Sequence, residues 1–80
     1  MNQQQFKPFA IGDRVISEAD GPGTVINADA PEMVYPVDVL FDSGRIEDFT
    51  HYGHMYATLK HPNQDIRHMT ADEMEKFPKL

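Results

Sequence analysis

Apolar and polar positions alternate most clearly from Tyr35 to Asp42. Tyr35, Val37, Val39 and Phe41 fall on one side of an extended chain, and Pro36, Asp38, Leu40 and Asp42 on the other. A period of two is that of a half-buried β-strand. Leu40, apolar on the otherwise polar side, predicts cover from another element. Pro36 stands near the strand start, where a missing N–H donor is tolerated. Asp42-Ser43-Gly44 reads as a tight hairpin turn with Gly44 in a left-handed conformation, so residues 45–50 are expected to return antiparallel. Ile46 and Phe49 are three apart rather than two, the spacing of a β-bulge or a barrel corner. Upstream, Gly12-Asp13 marks a turn and Val15-Ile16 an apolar run, giving a first strand near 13–18. The cluster Ala19-Asp20-Gly21-Pro22-Gly23 reads as a turn. Thr24-Val25-Ile26, β-branched throughout, reads as a second strand, and the polar stretch 27–33 with Pro31 as a loop.

Downstream the pattern is sparser. His51-Tyr52-Gly53-His54 reads as a further turn, residues 55–60 as a short strand anchored by Tyr56, and residues 61–64 as a loop. Thr70-Ala71-Asp72-Glu73 has the capping-box spacing, which predicts a helix over 71–77 that stops before Pro78. Two turns are too few to stand alone, so Met74 and Phe77 are expected to dock the helix, with Met69 as a staple at its start. Five short strands separated by turns predict a mainly β fold: a small five-stranded barrel with a short C-terminal α-helix. The expected organisation is a flexible tail over 1–8, the barrel over 9–60, and a loop plus a helix packed on the barrel over 61–80. There is no internal repeat and no low-complexity tract.

Eighty residues make one domain, small enough that every core side chain matters. There is no cysteine, hence no disulfide and no thiolate ligand or nucleophile. The polar start, 1–5, lacks the apolar core of a signal peptide, and no apolar run approaches the roughly 18 residues of a membrane span. A cytoplasmic location is therefore expected, with no membrane contact. The formal net charge is −6, and it is uneven. Residues 1–50 hold three basic and nine acidic groups, whereas residues 51–80 hold four of each. Such a surface repels phosphates and favours solubility or a basic protein patch.

Three segments share a cadence: Gly12-Asp13-Arg14-Val15, then Gly21-Pro22-Gly23-Thr24-Val25, then Tyr35 to Gly44. The pattern resembles SH3-like and Tudor-like barrels of bacterial proteins. Among these are the C-terminal Tudor-like domain of UvrD/PcrA-type helicases and the CarD-type RNA-polymerase-interacting domain. With Phe49-Thr50 and Gly53 added, it is also similar to small proteins encoded by bacteriophages and prophages. The resemblance spans about residues 9–60. It implies a small barrel that binds a protein partner, such as a host transcription, repair or defence protein, largely through a strand edge. It places no partner-binding residue of those families on this chain, and it does not extend to residues 61–80.

The candidate chemistry is thin. His51, His54, His61 and His68 fall within eighteen residues, and His51-x-x-His54 with Asp48 has the donor types of a metal site, yet no recognised zinc spacing is present. No metal and no cofactor are expected. Asp38, Asp42, Glu47 and Asp48 are carboxylates in a short stretch, but acid–base chemistry needs a pocket that a chain this size has little room for. Ser17 and Ser43 sit in no nucleophile motif. A non-catalytic role is therefore expected. Tyr35, Phe41, Phe49, Tyr52 and Tyr56 have the composition of an aromatic cage. Phe41 and Phe49 are needed for the core, which leaves the tyrosines for a surface. The expected partner-binding residues are Tyr35, Asp38, Tyr52 and Tyr56. The alternative is a barrel that binds nucleic acid or mimics DNA, but Lys7, Arg14, Lys60 and Arg67 form no basic stripe. Either a monomer or a homodimer paired through a barrel edge fits this reading.

Overall fold

The computed structural model describes residues 7–29, 32–58 and 62–78. The chain is mainly β, with β1 (Arg14–Ser17), β2 (Gly21–Asn27), β3 (Val37–Phe41), β4 (Ile46–Phe49) and β5 (Arg67–His68), followed by the helix α1 (Ala71–Lys76). All strands belong to one antiparallel sheet of order β4-β3-β2-β1-β5. The first four form a meander, and β5 returns to the free side of β1.

Two hairpins follow the same chemistry. Between β1 and β2 the Ser17 hydroxyl accepts the Asp20 N–H, and Gly21 takes a φ of 77°. Between β3 and β4 the Gly44 N–H bonds the Phe41 carbonyl, and Gly44 takes a φ of 102°. Each glycine supplies the left-handed residue that closes a three-residue loop without strain. The second turn is where the sequence places it. The first is one step earlier, because Gly21-Pro22-Gly23 belongs to β2 rather than to the turn. Gly23 is needed there for a different reason. A Cβ at this position would stand 2.8 Å from Val39 Cγ1 and 2.9 Å from Phe41 Cδ1, so the glycine lets the third strand's side chains press against the β2 backbone.

Alternation sorts the side chains cleanly. Val15, Val25, Val37, Val39, Phe41 and Phe49 are almost fully buried on the inner face, and Phe9 and Ile66 complete the cluster. Phe41 and Phe49 meet edge to face at 6.1 Å, a favourable aromatic geometry. The irregularity expected in β4 lies instead in β2, where the register shifts between Val25 and Asn27. The β4 ladder is regular, so Ile46 and Phe49 simply face opposite sides.

The fifth strand is not at 55–60. Residues 55–58 form no strand, residues 59 and 60 lie outside the described residues, and β5 is the two-residue pairing of Val15 with His68 and Ile16 with Arg67. The sheet thus runs past residue 60. The ends of the sheet are linked by the 50–54 turn. Thr50 donates to the His54 carbonyl and Ile66 to the Gly53 carbonyl, both at 2.8 Å. Gly53, at φ 86°, has no room for a side chain: a Cβ would lie 2.7 Å from the Ile66 carbonyl oxygen.

The helix starts as predicted. Thr70 caps it, and both halves of the capping box with Glu73 are formed. Its docking differs. No helix residue is buried, Met74 is 46% exposed and Phe77 is only half-buried. The anchors are Met69, which is buried just before the helix, and polar bonds from Arg14.

Candidate functional site

The outer face of the sheet begins from its register. Thr24 stands opposite Arg14 on one side and Leu40 on the other, and Leu40 stands opposite Ile46. One step along the same face, Asp38 stands opposite Asp48. Directly opposed side chains on one face are the units that stabilise or strain a sheet.

On the β1–β2 half the opposed groups are complementary. Arg14 donates from Nη1 to the Asp42 Oδ1 and the Thr24 hydroxyl, and from Nη2 to the Asp42 Oδ2 and the Phe77 carbonyl, all at 2.8–2.9 Å. This is a fork-shaped charge-assisted pair. The Asp42 hydrogen bond raises the arginine's pKa, and the Arg14 hydrogen bond holds the Asp42 carboxyl below the usual range. The Arg14 side chain is 8% exposed. Its Nε is buried with no partner among the described residues.

On the β3–β4 half the opposed groups repel. The Asp48 carboxyl is pushed up, first by its hydrogen bond with Asp38, then by burial and by the negative charges of Asp38 and Glu47. Two carboxylates in such contact favour one shared proton. Beside them Leu40 and Ile46 are 39% and 59% exposed. Leu40 thus keeps over a third of its surface open, short of the full cover expected over it. β4 is the outermost strand, and among the described residues it pairs only with β3.

The predicted tyrosines lie on the segments flanking this half. Tyr35 is half-buried, and its hydroxyl accepts the Ala57 N–H at 3.1 Å, which ties it to the backbone beside Tyr56. Tyr56 and Tyr52 are exposed, and Tyr52 meets the His51 ring edge to face at 5.4 Å. Of the four predicted residues, Asp38 alone lies in the sheet.

Arg45, Arg67, His54 and His68 are engaged. Arg45 bonds Asp20 and Glu47, and Glu47's hydrogen bond raises its pKa. Arg67 grips both oxygens of Glu73 at 2.7 Å. That grip, with the Thr70 backbone N–H, lowers the Glu73 carboxyl to about 2. His54 Nδ1 lies 2.7 Å from Asp65, and His68 stacks on Phe9 at 4.4 Å with its Nε2 facing the Lys7 carbonyl. His61 lies outside the described residues. Among the described residues no three His, Cys, Asp or Glu side chains group as a metal site. An open groove of about 310 Å³ runs beside β1 and β5, with Ile16, Pro62 and Ile66 on its apolar side. Of its polar lining, Ser17, Asp65 and Arg67 are already bonded to Asp20, Met55 and Glu73.

Sequence reasoning found Asp38 but missed Asp48, Leu40 and Ile46 as its companions. The signal was present. A three-residue turn at 42–44 pairs Leu40 with Ile46 and Asp38 with Asp48, once the register is counted outward from it.

Compared with known proteins, the chain matches no family model, no curated protein and no solved structure. Among the described residues no helix is long and apolar enough to cross a membrane.

Proposed function

We propose that this protein is a non-catalytic interaction module. It binds a partner protein through a strand edge and an acidic, tyrosine-bearing surface that includes Tyr35, Asp38, Tyr52 and Tyr56. The carrying observation is the opposed Asp38–Asp48 pair, directed outward beside the edge of β4 that no described strand pairs. A repulsive pair does nothing for the fold, and a cationic side chain of a partner relieves it.

The bonding of the arginines supports a protein partner over nucleic acid. Arg14, Arg45 and Arg67 each already hold carboxylates, so phosphates would have to displace those bonds. The strand order, a four-strand meander closed by a short fifth strand on β1, supports the SH3-like or Tudor-like reading. On the motif cadence alone, the reading extends to a cytoplasmic, phage-encoded modulator of a host protein.

The test is affinity capture from a bacterial lysate, with the captured protein then titrated against purified variants. Tyr52→Ala and Asp38→Ala are expected to weaken binding each by about ten-fold, as loss of a contact worth about 1.4 kcal/mol does. Unchanged affinity for both variants would reject this surface.

A further inference from the structure

Resting on the interaction reading, we infer that the outer face of β3–β4 is a two-part receptor for an extended protein segment that carries a lysine or arginine and an aliphatic residue two positions apart. The cation sits between Asp38 and Asp48, and the aliphatic side chain covers Leu40 and Ile46.

The geometry sets these terms. Asp38 and Leu40 are two residues apart on one strand and point to the same side, as do Asp48 and Ile46. Equivalent side chains along a strand repeat about every 7 Å. An extended segment has the same repeat, so side chains two apart match the acidic pair and the apolar pair together. A helix spaces its same-face neighbours closer.

Charge selects the occupant. The acidic pair carries a mutual repulsion that no described basic side chain relieves, and Glu47 adds to it. The nearest arginine in sequence, Arg45, is bonded to Asp20 and Glu47. A lone cation on an exposed acidic pair binds weakly and is screened by salt. The adjacent apolar pair is what makes a basic and apolar segment preferable to a merely basic one. A second copy of this chain brings another net charge of −6 to the same face, and a nucleic acid brings phosphates.

Two synthetic nonapeptides of equal charge test this, one repeating Lys-Ser-Val-Ser and ending on Lys (the Lys–Val peptide), the other repeating Lys-Ser-Ser-Ser and ending on Lys (the Lys–Ser peptide). Each is titrated into the isotope-labelled protein by NMR. The Lys–Val peptide is expected to shift the Leu40 and Ile46 methyl signals and the Asp38 and Asp48 amides. Covering one aliphatic pair is expected to favour it over the Lys–Ser peptide by about ten-fold. In the Leu40→Ser/Ile46→Ser variant the preference disappears while salt-sensitive binding of both peptides remains. In Asp38→Asn/Asp48→Asn the affinity for both falls and the Val preference stays. The amide spectrum of each free variant checks that it is folded.

Equal affinity for the two peptides, or no shifts with either, overturns the inference. So do shifts centred on Tyr35, Tyr52 and Tyr56, although these leave the interaction reading standing on its tyrosine surface. Concentration-dependent shifts of Leu40 and Ile46 without peptide reassign the patch to a second copy. Shifts of the same residues with a short DNA duplex reassign it to nucleic acid. The interaction reading fails separately, if no captured protein depends on Tyr52 or Asp38.

Discussion

The two halves of the sheet's outer face solve opposite problems with the same kinds of residue. Over β1–β2, an aspartate meets an arginine, and the C-terminal segment closes the contact through the Phe77 carbonyl. Over β3–β4, an aspartate meets an aspartate, and two aliphatic side chains stand in the open beside them. The β1–β2 and β3–β4 ladders are both in regular register, so the difference is not imposed by their pairing. One half is assembled for stability. The other keeps a repulsion and an exposed apolar pair, the two features on which the proposed binding role rests.

The largest expected effect calibrates how β4 is held. Phe49→Ala removes a fully buried ring and is expected to cost about 3–5 kcal/mol, enough to unfold much of a domain this small. Ile46→Ser, three residues away on the bare face, is expected to stay within about 0.5 kcal/mol. Urea unfolding of both variants measures the contrast, and similar losses would mean that the outer face is not bare.

Next comes the clamp. Asp42→Ala strands a buried guanidinium, and with Asp42 partly exposed the cost is expected to be about 1–2 kcal/mol. Adding Arg14→Met is expected to restore part of that loss. If the double variant is no more stable than the single one, the arginine's packing matters more than its charge.

The repulsive pair carries the opposite sign. Asp48→Asn is expected to stabilise the protein by about 0.5 kcal/mol at pH 7. The Asp48 carboxyl is raised in the folded state, so its penalty is full above that raised value. As pH falls through it, the folded state takes up the proton first and stability recovers. The gain from Asp48→Asn should therefore fade in mild acid. A gain independent of pH would point to something other than charge.

The smallest effect concerns the segment that covers the clamp. Glu73 is lowered to about 2 from an ordinary 4.5, so its contribution is complete above 4.5 and is lost as pH falls toward 2. Glu73→Gln is expected to lower stability least of these variants at pH 7, because solvent screens the exposed Arg67 partner. The change should appear in amide exchange of α1 rather than in the global transition.

Much of this was legible in the chain, where the signal is local. The alternation from Val37 to Phe41, the turn at Asp42-Ser43-Gly44 and the Thr70–Glu73 capping box each depend on residues within a few positions of one another. What escaped depends on distant partners. Gly23 looks like a turn residue until Val39 and Phe41 are packed against it. Arg67-His68 has no strand pattern of its own, because two residues cannot alternate and their partner β1 lies some fifty positions away. Spacing points to Met74 for docking, but the helix is held by buried Met69 and by polar bonds that no periodicity encodes. The candidate surface divides in the same way. Asp38 is visible as an acid, but its repulsive partner emerges only when the hairpin register is counted.

The two-residue ladder between β1 and β5 also sets an order of events. The meander of β1 to β4 closes through short hairpins, whereas joining Val15 to His68 means gathering a loop of some fifty residues for two pairings. Ordering of that kind comes late in folding. It is also the first to be surrendered, so β5 and the helix behind it are expected to open and reclose while the meander stays formed. On this molecule the C-terminal segment that closes over Arg14 through the Phe77 carbonyl is then the part that breathes, and the outer face of β3–β4 rests on the part that does not.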